Sequence, residues 1–246
     1  MLTNDSRPPA GHVESLGSYA LILFDLDGTL IDSAPDLTLA LGLALADVGL
    51  PAHDEPAVRK MVGDGQRTLI ERALLAAGGE LTQTDETLAR FRHHYTEHLC
   101  ERTQVYPQVR ETLAALPAVI PQAVATNKPG RWARQLCTQL QLGPSLRWVL
   151  GEDDVGARKP DPKLLLHLCE LAGVAPARTL MVGDSRIDVE AARAAGVAVA
   201  LCTYGYGDAE LYAAARARQV DLALPLGCAD RPFLIEQFAQ LLTLGL

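Results

Sequence analysis

The chain has 246 residues, of which 48% are hydrophobic and 21% charged, ordinary values for a globular protein with a sizeable core. A formal net charge of −8, with no basic cluster, argues against nucleic acid and against an anionic membrane surface as partners. Five widely scattered cysteines without a C-x-x-C pair fit reduced thiols in a cytoplasmic protein and argue against a zinc or disulfide role.

Residues 1–17 carry two prolines, two glycines and small polar residues without periodicity, which predicts a mobile N-terminal arm. The basic-then-apolar pattern of a secretion signal is missing there, so the sequon Asn4-Asp5-Ser6 carries no weight. The longest apolar stretch, 37–46, is too short to span a bilayer. No membrane association is expected.

The first ordered element is the run Leu21-Ile22-Leu23-Phe24, a strand buried on both faces, which ends in Asp25-Leu26-Asp27-Gly28-Thr29. In extended chain residues i and i+2 project to the same side, so Asp25 and Asp27 can converge on one point. Two carboxylates there repel unless a proton, a cation or a strong donor intervenes. Gly28 lets the backbone turn or approach a ligand closely.

Four helical patterns follow, over 36–48, 55–62, 65–77 and 83–101, with no strand pattern between them. A run of helices placed after the first strand marks an insertion, and residues 35–104 are expected to form an all-helical cap. Within it, Met61-Val62-Gly63-Asp64-Gly65-Gln66-Arg67 reads either as a plain helix connection or as a substrate loop. In the second reading Arg67 or Lys60 faces a second anionic group. His94-Tyr95-Thr96-Glu97-His98 matches an H-x-x-E-H zinc spacing. The apolar stripe Leu88, Phe91, Tyr95 and Leu99 puts both histidines on the helix flank, which favours a solvated face over a metal site.

From Tyr106 onward, short apolar strands at 118–125, 148–150, 179–182 and 197–202, with a further candidate at 222–224, alternate with helices. The helical patterns run over 108–116, 130–140, 162–172, 187–195 and 208–218. This alternation predicts an α/β fold with a doubly wound parallel-sheet core of Rossmann-like type, formed by residues 18–34 and 105–246. In such sheets ligands bind beyond the carboxyl ends of the strands. Thr126 and Asn127 stand at one such end, where a hydroxyl and backbone N–H groups near a helix start suit phosphate oxygens. Asp184 stands at another, with Asp188 one turn into the next helix. Lys159 precedes a helix opened by Asp161 and Pro162, a position where a positive charge gains nothing from the helix dipole. Four carboxylates against one lysine call for a cation, and all-oxygen ligands point to Mg²⁺. No P-loop sequence occurs.

Asp25–Thr29, Thr126, Lys159 and Asp184 with Asp188 resemble, in order, the four motifs of the phosphatase branch of the haloacid dehalogenase superfamily. The resemblance covers about residues 19–207. Within it, 24–37, 61–74, 126–129, 159–162 and 203–206 look most like bacterial phosphoglycolate phosphatases, although Asp64 stands where asparagine is expected. The resemblance implies a Mg²⁺-dependent phosphomonoesterase acting on a small phosphate ester, 2-phosphoglycolate first among them. Asp25 is then the nucleophile, giving an aspartyl-phosphate, and Asp27 the general acid and base. The metal is held by Asp25, the carbonyl of Asp27 and Asp184, with Asp188 in support; Thr126, Asn127 and Lys159 hold phosphate. Rival readings are a sugar-phosphate phosphatase or phosphomutase of the same superfamily, a metal-free dehalogenase, and a silent binding module.

Overall fold

The computed structural model describes residues 19–116, 118–207, 209–219, 227–228 and 232–244. The expected arm over 1–17 and the candidate strand over 222–224 lie outside the described residues.

Strand β1 (Leu21–Phe24) runs through the centre of a six-stranded parallel sheet. It is flanked by β4 (Gln122–Ala125) on one side and β6 (Thr179–Gly183) on the other. Beyond β4 lies β5 (Trp148–Leu150), and beyond β6 lie β7 (Ala198–Cys202) and β8 (Phe233–Ile235), giving the order β5-β4-β1-β6-β7-β8. The chain therefore leaves β1 in both directions across the sheet. The tip of β1 is the switch point, where such sheets open a crevice.

Alternation within each strand decides which face each residue serves. Leu21 and Leu23 pack with Ala123, Ala125, Met181, Val199 and Leu201 under helices α8 (Lys163–Ala172), α9 (Arg186–Ala195) and α10 (Ala209–Gln219). Ile22 and Phe24 face the other way with Val124, Leu180 and Val182, beneath α5 (Val109–Ala115), α6 (Gly130–Gln139) and Phe238. The expected strand over 118–125 begins only at Gln122, because Pro121 has no N–H for the ladder.

Between β1 and α5 the chain forms α1 (Ala34–Asp47), α2 (Glu55–Arg59), α3 (Gln66–Ala76) and α4 (Thr84–Glu97). The stripe Leu37, Ala40, Leu41, Ala44 and Leu45 of α1 packs in one cluster with Leu88, Phe91 and Tyr95 of α4. Two short strands that the hydrophobic pattern did not predict join the two ends of this segment. Strand β2 (Ile31–Asp32) pairs antiparallel with β3 (Gln104–Val105). The fully buried Asp36 carboxylate locks the same root: it accepts from the backbone N–H of Arg102 and Thr103 and from Thr103 Oγ1, at 2.6–3.0 Å.

Removing that acceptor strands buried donors. Asp36→Ala should therefore lower the unfolding free energy by about 1–3 kcal/mol in chemical denaturation. A change below about 0.5 kcal/mol would mean that the root is held by β2 and β3 alone.

Candidate active site

Asp25 follows β1 directly, and its backbone N–H donates to Val182 O (2.9 Å), so the tip of β1 is tied to β6. On the floor of the crevice Lys159 Nζ donates to Asp25 Oδ1 and to Asp188 Oδ1, both at 2.7 Å. The other oxygen of Asp188 accepts from Ser185 N and Ser185 Oγ (3.1 and 2.6 Å), the capping box that starts α9. A helix cap thus aims this carboxylate. Asp184, just beyond β6, accepts from Thr29 Oγ1 (3.0 Å) and from the N–H of Tyr206 (2.6 Å). Gly28 passes close to it with φ +88°, and a Cβ there would lie 2.4 Å from Asp184 Oδ2. Only glycine fits.

Carboxylate oxygens of Asp25, Asp184 and Asp188 lie within 4.8 Å of one another, and all three residues are buried. Burial is the largest effect on the Asp25 carboxyl and pushes it up to about 6 against the pull of Lys159, with Asp188 adding to the rise. Burial also raises Asp184 well above the usual carboxylate range, helped by Asp188 and Asp25. Burial alone would lower the Lys159 ammonium, but the facing Asp188 and Asp25 carboxylates outweigh it and raise it. Three carboxylates against one ammonium leave a buried excess of negative charge. A hard divalent cation with oxygen ligands fits that donor set, because unused lone pairs remain on each carboxylate.

The Asp27 carboxylate stands apart from this group. It accepts from Ser33 Oγ at 2.5 Å and from Lys128 Nζ at 2.8 Å. Lys128 also donates to Tyr95 Oη at 2.9 Å, and its side chain is only 4% exposed.

At the tip of β4 the expected division of labour changes. Thr126 is buried and its hydroxyl accepts from Lys128 N (3.2 Å), but its own N–H is spent on Leu150 O in the sheet. The Asn127 side chain, expected to hold phosphate, braces other parts instead. Its Oδ1 accepts from Lys159 N (2.7 Å), and its Nδ2 donates to Lys159 O (2.9 Å) and Gly63 O (3.0 Å). Asn127 thereby sets the backbone of Lys159.

A cavity of about 60 Å³ opens from Asp25, Asp27 and Thr126 towards the helical insert. Leu37, Val62, Leu69, Phe91 and Trp132 give it apolar walls, and Gly63, Gly65 and Gln66 bring the 61–67 loop to its rim. The two cap cations expected there do not line it. Arg67 is exposed and pairs with Asp85 and Glu71 on the outer side of the insert. Lys60, also exposed, ends α2. Successive residues on a helix point about 100° apart, so Gln66 facing in turns Arg67 out. Asp64, the residue that departs from the expected asparagine, pairs with Arg72 at 2.5 Å. The two histidines of the zinc-like spacing engage separate carboxylates, His94 with Asp47 and His98 with Glu101, each at 2.8 Å.

The sequence model described as haloacid dehalogenase-like hydrolase matches residues 22–202, nearly three-quarters of the chain. The chain belongs to the haloacid dehalogenase-like hydrolase family. A "Phosphoglycolate phosphatase" of Pseudomonas putida is 44% identical over 219 residues, covering 85% of this chain and 80% of the relative. A protein of the same name from Haemophilus influenzae is 38% identical, with 92% and 98% covered. The crystal structure of a predicted phosphoglycolate phosphatase from Haemophilus somnus superposes with a TM-score of 0.79 at 35% identity, covering 92% of this chain and 97% of that one.

This hydrolase holds two groups of residues near its acidic cluster that local sequence patterns did not reveal. Lys128 sits in the same turn as Thr126 and Asn127, and Tyr95 in the apolar stripe of its helix; nothing local distinguishes them. Tyr206 is the second case. Its hydroxyl accepts from the N–H groups of Ser33 (2.8 Å) and Ala34 (3.0 Å), the first turn of α1, and donates to Asp32 Oδ1 (2.8 Å). Arg59 of α2 pairs with Asp32 Oδ2 at 2.6 Å and lies 5.2 Å from the centre of the Tyr206 ring. Arg59, Asp32 and Tyr206 therefore connect the insert to the N–H that holds Asp184.

The raised carboxyls carry a sign for stability. Asp25 has a folded-state pKa above its ordinary value, so its contribution is complete below about pH 4 and is lost as pH rises through about 6. Without divalent cations the unfolding midpoint of the wild type should fall over that window by more than that of Asp25→Asn. Parallel profiles for the two proteins would show that Asp25 is not ionising against its surroundings.

Proposed function

We propose that this hydrolase is a phosphomonoesterase that acts through an aspartyl-phosphate on 2-phosphoglycolate. The observation that carries the reading is the bridge from Lys159 Nζ to Asp25 and Asp188, beside Asp184 and with Asp27 set apart under Ser33. The naming of the Pseudomonas and Haemophilus relatives supports the substrate. The apolar walls given by Leu37, Val62, Leu69, Phe91 and Trp132 support a small leaving group over a hydroxyl-rich sugar.

In the first step an Asp25 oxygen bonds to phosphorus as the bond to the leaving oxygen breaks, and Asp27 gives its proton to the departing alkoxide. In the second, water bonds to phosphorus, its proton passes to Asp27, and the bond from phosphorus to Asp25 breaks to release phosphate. Lys159 restrains Asp25 and, with Thr126, meets the phosphoryl oxygens. Asn127 contributes by bracing Lys159. Mg²⁺, held by Asp25, Asp184 and the Asp27 carbonyl with Asp188 in support, would neutralise phosphate charge so that an anionic nucleophile can approach. Residues 35–104 serve as a cap that excludes water above the core formed by 18–34 and 105–246. Among the described residues no helix is long and apolar enough to cross a membrane. The free, buried thiols of Cys137, Cys169 and Cys202 support a cytoplasmic setting.

Asp25→Asn keeps the shape of the side chain but cannot form the acyl-phosphate, so turnover of phosphoglycolate should fall by at least about 10³-fold while the protein still unfolds in one cooperative transition. Activity within tenfold of wild type would remove Asp25 as nucleophile. Chelation should abolish turnover and Mg²⁺ restore it; full activity in excess chelator would overturn the metal-dependent reading.

A further inference from the structure

We infer that Lys128 is the specificity-determining residue of this site, holding a second anionic group on the leaving alcohol from the core side of the cavity. The inference rests on the phosphomonoesterase reading above and adds where the carboxylate of the substrate is read.

Among the described residues that line the cavity, Lys128 is the only cation. Its ammonium is buried between Asp27 and Tyr95 and still faces the cavity lining. An ammonium carries three donors, of which Asp27 Oδ2 and Tyr95 Oη take two. One donor is left for a ligand. Of the other cations, Lys159 is committed to Asp25 and Asp188 and Arg67 to Asp85 and Glu71, while Arg92 and Arg158 stay at the rim, bonded to Gln66 Oε1 and to the Asp64 carbonyl.

Position makes the remaining argument. Lys128 is one hydrogen bond from Asp27, and Asp27 is the group that meets the leaving oxygen. In a glycolate leaving group the carboxylate carbon is two bonds from that oxygen. A cation touching Asp27 therefore stands within reach of the carboxylate, whereas one on the outer side of α3 does not. The walls beyond it are apolar, so an anionic tail entering the cavity is desolvated and needs a charged donor. Gln66, on the rim that the insert supplies, accepts from Arg92 Nε (3.0 Å) through its oxygen, which leaves its amide N–H groups for the second carboxylate oxygen. The apolar walls also disfavour a larger polar alcohol. The site is then selective for short acids.

The test compares 2-phosphoglycolate with its carboxamide, which has the same shape and no tail charge. The wild-type ratio of kcat/KM for acid over amide reports the substrate class. The change of that ratio on substitution reports Lys128. Lys128→Met should reduce the ratio by at least about tenfold, the scale of one charged hydrogen bond. Lys128→Gln, which keeps a donor towards Tyr95 and Asp27, provides the same reading if the methionine variant does not fold. Lys60→Ala and Arg67→Ala should leave the ratio unchanged. Inhibition by 3-phosphonopropionate against propylphosphonate repeats the comparison without chemistry, and so separates recognition of the tail from any effect on Asp27. If Lys128→Met depresses acid and amide equally, and inhibition shows no loss of preference, Lys128 only positions Asp27 and the inference is overturned while the substrate reading stands. A wild-type enzyme that does not prefer the acid overturns both.

Discussion

Placing the Lys159 ammonium between Asp25 and Asp188 allows three carboxylates to gather, buried, at the edge of a parallel sheet. Without it, like charges at that separation would drive the strand tips apart or force the carboxyls to stay protonated. The surroundings serve to hold this arrangement. Asn127 clamps the backbone of Lys159 on both sides, Ser185 aims Asp188, and Thr29 with the N–H of Tyr206 fixes Asp184. Close approach of the backbone completes the enclosure. A Cβ on Gly28 or on Gly205 would fall 2.4 Å from Asp184 Oδ2.

A site of this kind has an excess of buried negative charge, a donor set that a hard cation fits. The two aspartates that follow β1 part company here. Asp25 belongs to the acidic cluster, where burial raises it, while Asp27 is turned away to Ser33 and Lys128. Two carboxylates two residues apart on one strand tip thus enter different surroundings, which gives them different chemistry.

The helical insert is bound to the core at its root and again at the site. Its root is closed by β2 with β3 and by Asp36. At the site, Tyr95 meets Lys128, Gly63 meets Asn127, and Arg59 meets Asp32 beside Tyr206. Motion of the insert would therefore be felt by both aspartates through side chains already in contact with them.

Much of this was legible in the chain. Parallel strands show as short apolar runs, helices by their period, and the acidic residues by their place at strand ends. These are local properties, set by backbone geometry over a few residues. The same logic placed Asp25 and Asp184 at strand tips with Asp188 one turn beyond, because neighbouring strands in a parallel sheet end on one edge; Lys159, in a loop before a helix, was tied to them only by the family resemblance. It did not foresee β8, a three-residue run, nor the pair β2 and β3, two residues each and too short for any period. It also could not tell which cation faces the cavity. Arg67 and Lys128 are both next to loops with glycine or a turn, and only the rotation of α3 and the packing of α4 against α6 turn one outward and bury the other. Local chemistry is written in the order of residues. Which side chains meet across elements remote in sequence is decided by tertiary packing, since the energy of a contact between residues 33 apart, as Tyr95 and Lys128 are, exists only once the fold has brought them together.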